Sequence, residues 1–361
     1  MKRICFFSGD VTRNGGTERV AVTIANELAK HPEFEICFIS LVEQNATPSY
    51  DIAPEIKRHA LGKKWLTPGP AYLPLIPKLR KFLRDYKIDL IIDIDIVLDV
   101  LSVPAAKGLP VKVLSWEHSN LSYELSEGWY RKMILDHFTK KTFAIVTLTQ
   151  GDAKAFQEHF GRQDRILAIP NPATMTMIPG MERQKWLITA ARLVPAKGFD
   201  LLMKVAKEVL TKCPDWSWVL CGDGPMREEL EKFSIQEGFG GRFKIVGYVP
   251  KVEEYLSKAR IFVLTSRAEG FPMCLLEAGA CGVPAVSFDI QTGPADIIQD
   301  GVTGYLIPPF EWETMAEKLL ELMKDDARLA QMAKQAPEGV KPFLLTNIME
   351  KWMNLMERLL E

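Results

Sequence analysis

The feature of this sequence that most constrains its fold is a regular alternation of short apolar runs with longer stretches of helical periodicity. The runs are often β-branched, as is typical of buried strands. Alternation at this spacing predicts parallel, doubly wound α/β sheets. The predicted strands cover residues 4–7, 36–41, 90–92, 111–116, 145–148 and 166–169 in the first half, and 186–190, 216–220, 243–246, 261–264, 285–288 and 305–307 in the second.

The alternation occurs twice, which indicates two Rossmann-like domains. Between the two sets of strands lies Pro170-Asn171-Pro172, followed by a stretch without periodicity that reaches Gly180. We therefore predict an N-terminal domain over residues 1–172 and a C-terminal domain over residues 183–342. Residues 343–361 have apolar positions at helical spacing and are predicted to form an amphipathic helix.

Composition and charge exclude several classes of protein. No apolar run approaches the roughly 18 residues of a membrane-spanning helix, and polar residues interrupt the apolar N-terminus too early for a secretory signal. The net charge of −1 disfavours a nucleic-acid partner, since such proteins are usually basic. The six cysteines form no metal-ligand pattern. We expect reduced, buried thiols and a cytoplasmic protein.

Ligands of doubly wound sheets bind beyond the carboxyl ends of the strands, so the residues after each predicted strand are the most informative. Gly15 and Gly16 follow the first strand and open a helical stretch. Glycine permits close approach of a ligand, and a helix N-terminus offers free N–H groups to an anion. The pattern is not Gly-x-Gly-x-x-Gly, so the dinucleotide fingerprint is absent. An ordinary strand-to-helix turn is the alternative interpretation.

His118 lies in the sequence Glu117-His118-Ser119-Asn120, directly after the predicted strand 111–116. An imidazole at this place could orient an acceptor hydroxyl or contact a sugar. A purely structural histidine is the alternative. We place Glu117 and Asn120 on the acceptor side of the same loop.

Two cations, Arg192 and Lys197, lie five positions apart in the turn after the strand 186–190. Fixed cations can neutralise a diphosphate leaving group without a metal ion. A solvated turn is the alternative. Gly222 and the pair Gly247-Tyr248 follow the next two strands and indicate further close approaches to a ligand.

The strongest signal is the segment 266–279. Pro272 suits the first turn of a helix, which would leave Glu269, Gly270 and Phe271 in the preceding loop and Glu277 inside the helix. A glutamate within an apolar run is costly to bury without partners, which favours a role in ligand binding. An ion pair with Arg267 or another neighbour is the alternative.

Taken in order, these motifs resemble glycosyltransferase family 4, the retaining enzymes with the GT-B fold. The resemblance covers essentially the whole chain. Residues 117–120 are similar to those of bacterial enzymes that extend lipid-linked oligosaccharides or exopolysaccharide repeat units. The motifs that carry the resemblance are Gly15-Gly16, Glu117-His118-Ser119-Asn120, Arg192 with Lys197-Gly198, Gly222-Asp223-Gly224, and Glu269 with Glu277.

The resemblance implies a role for each of these residues. The diphosphate would lie on Arg192 and Lys197, the ribose on Glu277, and the donor sugar on Glu269 with the Gly270-Phe271 backbone. Gly247 and Tyr248 would lie beside the base, and Gly15-Gly16 beside the diphosphate or the acceptor. Gly222 and Pro272 would also belong to the donor-binding site. His118 would lie near the sugar and the acceptor, and the final helix would cross back onto the first domain.

The implied reaction is transfer of a hexosyl or N-acetylhexosaminyl unit from a nucleotide sugar, UDP-linked, to a glycan or lipid-linked saccharide, without a cofactor or metal. Asp93-Ile94-Asp95 superficially resembles the metal-binding Asp-x-Asp signature of another glycosyltransferase fold. We interpret both aspartates as strand-end residues with a structural or acceptor-side role. A nucleotide-sugar epimerase, a non-catalytic nucleotide-sugar-binding protein and a dehydrogenase are the competing hypotheses.

Residues 75–87 combine apolar positions at helical spacing with several lysines and arginines, and Lys63-Lys64-Trp65 lies nearby in the sequence. One interpretation is a helix that packs its apolar face on the sheet and exposes its basic face to solvent. The other is that this basic face makes peripheral contact with an anionic membrane.

Overall fold

The computed structural model describes residues 1–65 and 69–361. Its strands are β1 (Lys2–Ser8), β2 (Phe34–Ser40), β3 (Lys57–Ala60), β4 (Leu90–Ile94), β5 (Lys112–Trp116), β6 (Ala144–Thr147), β7 (Ile166–Ala168), β8 (Trp186–Ala190), β9 (Ser217–Cys221), β10 (Phe243–Gly247), β11 (Ile261–Leu264), β12 (Ala285–Phe288) and β13 (Gly304–Ile307).

The helices connect these strands along the chain. They are α1 (Gly16–Ala29), α2 (Leu75–Asp85), α3 (Asp99–Ala106), α4 (Leu121–Ser126), α5 (Trp129–His137), α6 (Gln150–Phe160), α7 (Phe199–Lys212), α8 (Arg227–Gln236), α9 (Glu253–Leu256), α10 (Met273–Ala280), α11 (Pro294–Ile297), α12 (Trp312–Lys324), α13 (Asp326–Val340) and α14 (Leu345–Leu360). Short 3-10 turns cover Pro70–Tyr72, Ile96–Leu98, Thr139–Lys141, Pro195–Lys197, Gly240–Arg242 and Lys341–Phe343.

Every strand expected from the sequence is present, with ends that differ by at most two residues. The apolar, β-branched runs identified them because both faces of a doubly wound sheet are covered by helices. The strand that the sequence did not reveal is β3. It lies at the edge of its sheet, and none of its four residues, Lys-Arg-His-Ala, is fully buried.

Each set of strands forms one parallel sheet, which confirms the predicted pair of doubly wound domains. The first sheet has the order β3-β2-β1-β4-β5-β6-β7, and the second has the order β10-β9-β8-β11-β12-β13. In both sheets the direction of strand addition reverses once, between β1 and β4 and between β8 and β11. Ligands of such sheets bind in the crevice beyond the carboxyl ends of the two strands at this reversal.

Contacts divide the chain into one unit formed by residues 1–171 and 346–361 and a second formed by residues 172–345. Helix α14 belongs to the first unit, as expected for a final helix that crosses back. Its Trp352 packs edge-on against Trp116 of β5, with ring centroids 4.7 Å apart. Phe343, which we predicted to open the final segment, stays with the second unit because its ring packs on Phe271.

Helix α2 packs its apolar residues into the core of the first unit, where Leu75, Leu79, Phe82 and Leu83 are buried. Its basic residues Lys78, Lys81 and Arg84 are exposed on the opposite face. The packing interpretation is therefore confirmed, while membrane contact through the exposed face stays a prediction. Within residues 1–65 and 69–361, no helix combines the length and the apolar character needed to cross a bilayer. All six cysteines are free thiols, and five are buried.

Candidate active site

Two loops follow the strands at the reversal point of the second sheet. They are residues 191–198 after β8 and residues 265–272 after β11. The backbone N–H of Arg267 donates to the carbonyl of Ala196 at 2.9 Å. The Thr265 hydroxyl donates to the carbonyl of Lys197 at 3.0 Å. These bonds fix the two loops against each other at the carboxyl ends of adjacent strands, where a ligand of this sheet would bind.

Lys197 and Glu269, which belong to different sequence motifs, form an ion pair between these two loops. The Lys197 Nζ lies 2.6 Å from the Glu269 Oε1, and the two side chains are 25% and 11% exposed. The Ser266 hydroxyl donates to the same carboxylate oxygen at 2.6 Å. The ammonium is therefore held in one position by a mostly buried carboxylate, and a bound diphosphate would share it with Glu269.

Arg192 lies on the same loop after β8, and its side chain is exposed. Its guanidinium forms no hydrogen bond or ion pair with the described residues. The backbone beneath it is fixed, because the N–H of Leu193 donates to the carbonyl of Asp223 at 2.9 Å. Arg192 therefore offers a complete set of donors to a ligand from an anchored loop.

Arg267 pairs with Asp200, with two N–O distances of 2.7 Å to the two carboxylate oxygens. Arg267 was the neighbour named in the ion-pair alternative for Glu277, and the structure pairs it with Asp200 instead. Helix α10 begins at Met273, so Pro272 is the N-cap residue and not part of the first turn. Its carbonyl accepts the hydrogen bond of the Leu275 N–H, a role that needs no N–H on the proline. Glu277 lies inside α10 and is 8% exposed.

Glycines bring the loops of the second unit close together. A Cβ on Gly222 would overlap the carbonyl oxygen of Ala191, and a Cβ on Gly198 would overlap that of Thr265. The N–H of Gly222 donates to the carbonyl of Gly247 at 2.7 Å. Contact between loops accounts for glycine at these positions, and a role of Gly222 beside a donor stays a prediction. Tyr248, next to Gly247, is 60% exposed.

In the first unit, Gly15 is the N-cap of α1 and Gly16 is its first residue. A Cβ on Gly16 would meet no atom within 4 Å. The protein's own packing therefore does not require glycine there, and the approach of a ligand to Gly16 stays a prediction. The buried Glu18 lies in the first turn and is paired with Arg13.

The loop after β5 is held by buried carboxylates. The Glu117 Oε1 accepts the Ser119 N–H at 2.6 Å, and the Ser119 hydroxyl donates to Glu124 at 2.9 Å. Burial, with Glu124 and Asp95 nearby, raises the pKa of Glu117 well above its usual range. The side chain of Asn120 caps α4 by accepting the Tyr123 N–H at 2.8 Å. Glu117 and Asn120 thus position the loop that carries His118.

His118 lies against Trp116, with ring centroids 4.5 Å apart. Its Nε2 atom is buried and has no hydrogen-bond partner among the residues that the structure describes. Burial lowers the pKa of His118 to about 3, so the imidazole is neutral near pH 7. A neutral ring can accept a hydrogen bond through one nitrogen and donate through the other.

Comparison with known proteins assigns the family. The Glycosyltransferase Family 4 model matches residues 14–174, and the Glycosyl transferases group 1 model matches residues 178–339. The chain belongs to glycosyltransferase family 4. Together the two models match both halves of the chain, in agreement with the resemblance that the sequence motifs indicated.

An uncharacterized glycosyltransferase of Haemophilus influenzae is 27% identical, over 99% of this chain and 100% of that protein. The Campylobacter jejuni enzyme named GalNAc-alpha-(1->4)-GalNAc-alpha-(1->3)-diNAcBac-PP-undecaprenol alpha-1,4-N-acetyl-D-galactosaminyltransferase is 25% identical, over 99% of this chain and 98% of its own. The crystal structure of Anabaena HepE in complex with UDP-glucose has a TM-score of 0.78 and 18% identity, and covers 98% of this chain and 99% of that one. This likeness establishes the GT-B fold.

Both aspartates of the Asp-x-Asp sequence are bonded to groups of the protein itself. Asp93 is fully buried within β4 and accepts the Ser102 hydroxyl. Burial, together with the neighbouring carboxyl of Asp99, raises the pKa of Asp93 well above its usual range. Asp95 accepts the Val97 N–H at 2.9 Å and caps the turn that follows β4. In the part of the chain that the structure describes, no three His, Cys, Asp or Glu side chains are grouped as metal ligands.

Three side chains of the site were not identified from the sequence. Arg131 of α5 donates to Glu124 at 2.8 Å and lies 3.3 Å from Asp95, so it neutralises the carboxylates behind His118. The Thr292 hydroxyl donates to the carbonyl of Glu269 at 2.6 Å. Ser266 belongs to the segment we singled out, but its bond to Glu269 was not foreseen. Arg131 and Thr292 follow no motif, and only the fold brings them to these positions.

Proposed function

We propose that this family 4 glycosyltransferase transfers a hexosyl or N-acetylhexosaminyl unit from a UDP-sugar to a hydroxyl of a glycan or lipid-linked saccharide, with retention, in the assembly of a surface polysaccharide. The observation that carries the proposal is the Lys197–Glu269 pair at the reversal point of the second sheet, on the same loop as the exposed Arg192. The undecaprenol-linked acceptor named for the Campylobacter relative and the UDP-glucose bound to HepE support the acceptor and donor classes.

The chemistry follows from the charges. As the bond between sugar and phosphate breaks, negative charge grows on the departing diphosphate, and Lys197 and Arg192 stabilise it. The departing phosphate oxygen accepts the proton of the acceptor hydroxyl, which attacks the same face of the sugar and so retains the configuration. The neutral His118 orients a hydroxyl of the sugar or acceptor by a hydrogen bond.

A panel of nucleotide sugars tests the proposal, first by thermal shift and then by transfer to saccharide acceptors. We expect stabilisation by a UDP-sugar and transfer of its sugar unit to an added acceptor. Release of an epimerised sugar without any dependence on acceptor would establish the epimerase hypothesis. Stabilisation without any turnover would establish a binding protein.

Glu277→Ala should weaken UDP binding while the fold remains intact. If the buried carboxylate accepts hydrogen bonds from the ribose, its loss costs roughly 1.5–3 kcal/mol, or about 10- to 150-fold in affinity. Calorimetry with UDP measures the effect. Glu277→Gln keeps the size of the side chain and one oxygen acceptor, and should lose less. Equal UDP affinity in the wild type and both variants would disprove the ribose assignment.

Turnover should not require a divalent metal, because Arg192 and Lys197 provide positive charge for the leaving group. Asp93 is buried and bonded to Ser102, and Asp95 caps a turn, so neither is arranged to hold a metal on a diphosphate. The expected result is an unchanged rate of sugar transfer after treatment with EDTA. Complete loss of activity in EDTA, with recovery on addition of Mg²⁺ or Mn²⁺, would contradict this proposal.

We further propose peripheral membrane contact through the exposed basic residues of α2, which would bring the enzyme to a lipid-linked acceptor. A cation near an anionic surface contributes about 1 kcal/mol. Sedimentation with anionic vesicles at low salt should pellet the wild type. Replacement of Lys78 and Arg84 by glutamine should reduce the pelleted fraction. Wild-type protein that stays in the supernatant would disprove the contact.

A further inference from the structure

The first unit contains a cavity of about 530 Å³ that the proposed reaction does not use. It lies at the amino ends of three adjacent strands: Lys112 is the first residue of β5, Phe143 directly precedes β6, and Arg165 directly precedes β7. The loops that carry Gly16 and His118 follow the carboxyl ends of their strands, at the opposite edge of the same sheet. A ligand in this cavity would therefore be separate from the ligands of those loops.

The charges that line the cavity are almost all of one sign. Five cations and one carboxylate line it: Lys107, Lys112, Lys141, Arg162, Arg165 and Asp164. The remaining lining residues are mainly apolar, with Phe143 among them. A lining of cations and apolar side chains fits an anion that carries a larger organic group.

Three of the cations are held in place by the fold. Arg162 donates to the carbonyls of Thr142 and Phe143 at 3.0 and 2.8 Å. Lys112 donates to the carbonyl of Leu359 in α14, and its Nζ lies 4.9 Å from the centre of the Phe143 ring. The guanidinium of Arg165 lies 4.1 Å from the centre of the same ring. The fold therefore holds these three cations in place beside one another.

Asp164 compensates the five cations only in part. It lies 3.8 Å from Arg162 and 3.6 Å from Arg165, and its side chain is largely exposed. Burial lowers the pKa of Arg162; the charge of Asp164 opposes this effect, and the charge of Arg165 adds a smaller lowering. Lys107 and Lys141 are exposed, and neither forms an ion pair with the described residues. A bound anion would relieve this repulsion.

We propose that this cavity is a second ligand site, which binds a phosphate or diphosphate group carried by a soluble metabolite or by a lipid headgroup. Arginine and lysine together suit phosphate oxygens, because the guanidinium offers paired donors and the ammonium a compact charge. This proposal does not depend on which sugar the enzyme transfers.

The double variant Lys141→Gln/Arg165→Gln tests the site. Neither residue anchors the backbone through a side-chain hydrogen bond to a described residue, so folding should be preserved. The matched control is Lys140→Gln/Lys154→Gln, which removes two exposed lysines of the same unit that do not line the cavity. Inorganic pyrophosphate is titrated by calorimetry in the presence of saturating UDP, so that a nucleotide site cannot bind it. Vesicles of phosphatidylglycerol and of phosphatidylcholine are used in parallel.

We expect wild type and control to bind pyrophosphate or to pellet with phosphatidylglycerol vesicles, and the double variant to lose at least about tenfold in that affinity. A loss confined to pyrophosphate binding identifies a soluble phosphate ligand, and a loss confined to pelleting, seen in the double variant and not in the control, identifies a lipid headgroup in the cavity rather than contact through α2. UDP affinity should be equal in all three proteins. Absence of both kinds of binding in the wild type, or equal binding by the double variant and the control, overturns the proposal.

Discussion

Lys197→Ala is expected to reduce the turnover number by roughly 10²–10³-fold, the scale of removing one donor that stabilises charge in a transition state. The Lys197 ammonium is fixed at 2.6 Å from Glu269, so its charge is in place before the leaving group departs. Its interaction with the diphosphate should strengthen as the bond to the sugar breaks. The loss should therefore appear mainly in kcat, measured at saturating donor, and less in the affinity for UDP.

Lys185→Ala is the matched control for this variant. Lys185 pairs with Asp215 at the same distance of 2.6 Å in the same unit, but it directly precedes β8, whereas Lys197 lies in the loop after it. Thermal unfolding of both variants measures how much stability is lost when a carboxylate no longer has its lysine partner. Turnover should fall only for Lys197→Ala, and Lys197→Arg should recover part of it. Equal turnover in the two alanine variants would remove Lys197 from the diphosphate site.

The sequence predicted the sheets well because buried parallel strands are defined by local composition. Residues 261–264 are apolar over their whole length and residues 186–190 are apolar except for Thr189, and the structure gives the same bounds for both strands. β3 escaped detection because an edge strand with lysine, arginine and histidine has no such signature.

The position of a candidate residue in the fold was predictable where it closely follows a strand. Arg192, Lys197 and His118 lie in such loops, as the strand prediction indicated, and their roles stay predictions. Contacts between distant segments were not predictable. Lys197 and Glu269 were both identified, but their ion pair joins residues far apart in the chain, and the pairing of Arg267 with Asp200 was not foreseen either. Arg131 had no local signature, because its partners Glu124 and Asp95 are brought to it by the fold.

His118→Ala is expected to lower turnover by about 10²-fold or more, while the affinity for free UDP changes little. The reason is that His118 follows β5 in the first unit, whereas the predicted UDP-binding residues Arg192, Lys197 and Glu277 belong to the second. The loss should be constant between about pH 5 and 8, where an ordinary histidine titrates. Burial lowers the pKa of His118 to about 3, so the ring stays neutral over that range.

A structural role for His118 makes a different prediction, and His59→Ala separates the two. His59 of β3 is also a partly buried imidazole packed on aromatic rings, with a buried Nε2 that lacks a hydrogen bond in the described chain. Burial lowers its pKa as well, followed by the charge of Lys57. For both histidines, the unfolded chain binds a proton below about pH 6.5, whereas the folded protein keeps the ring neutral to lower pH. The free energy of unfolding therefore decreases as the pH falls below that value. Both alanine variants should therefore lose less stability than the wild type on acidification, and only His118→Ala should lose turnover. Normal turnover in His118→Ala, or an equal loss in His59→Ala, would assign His118 to the support of the β5 loop.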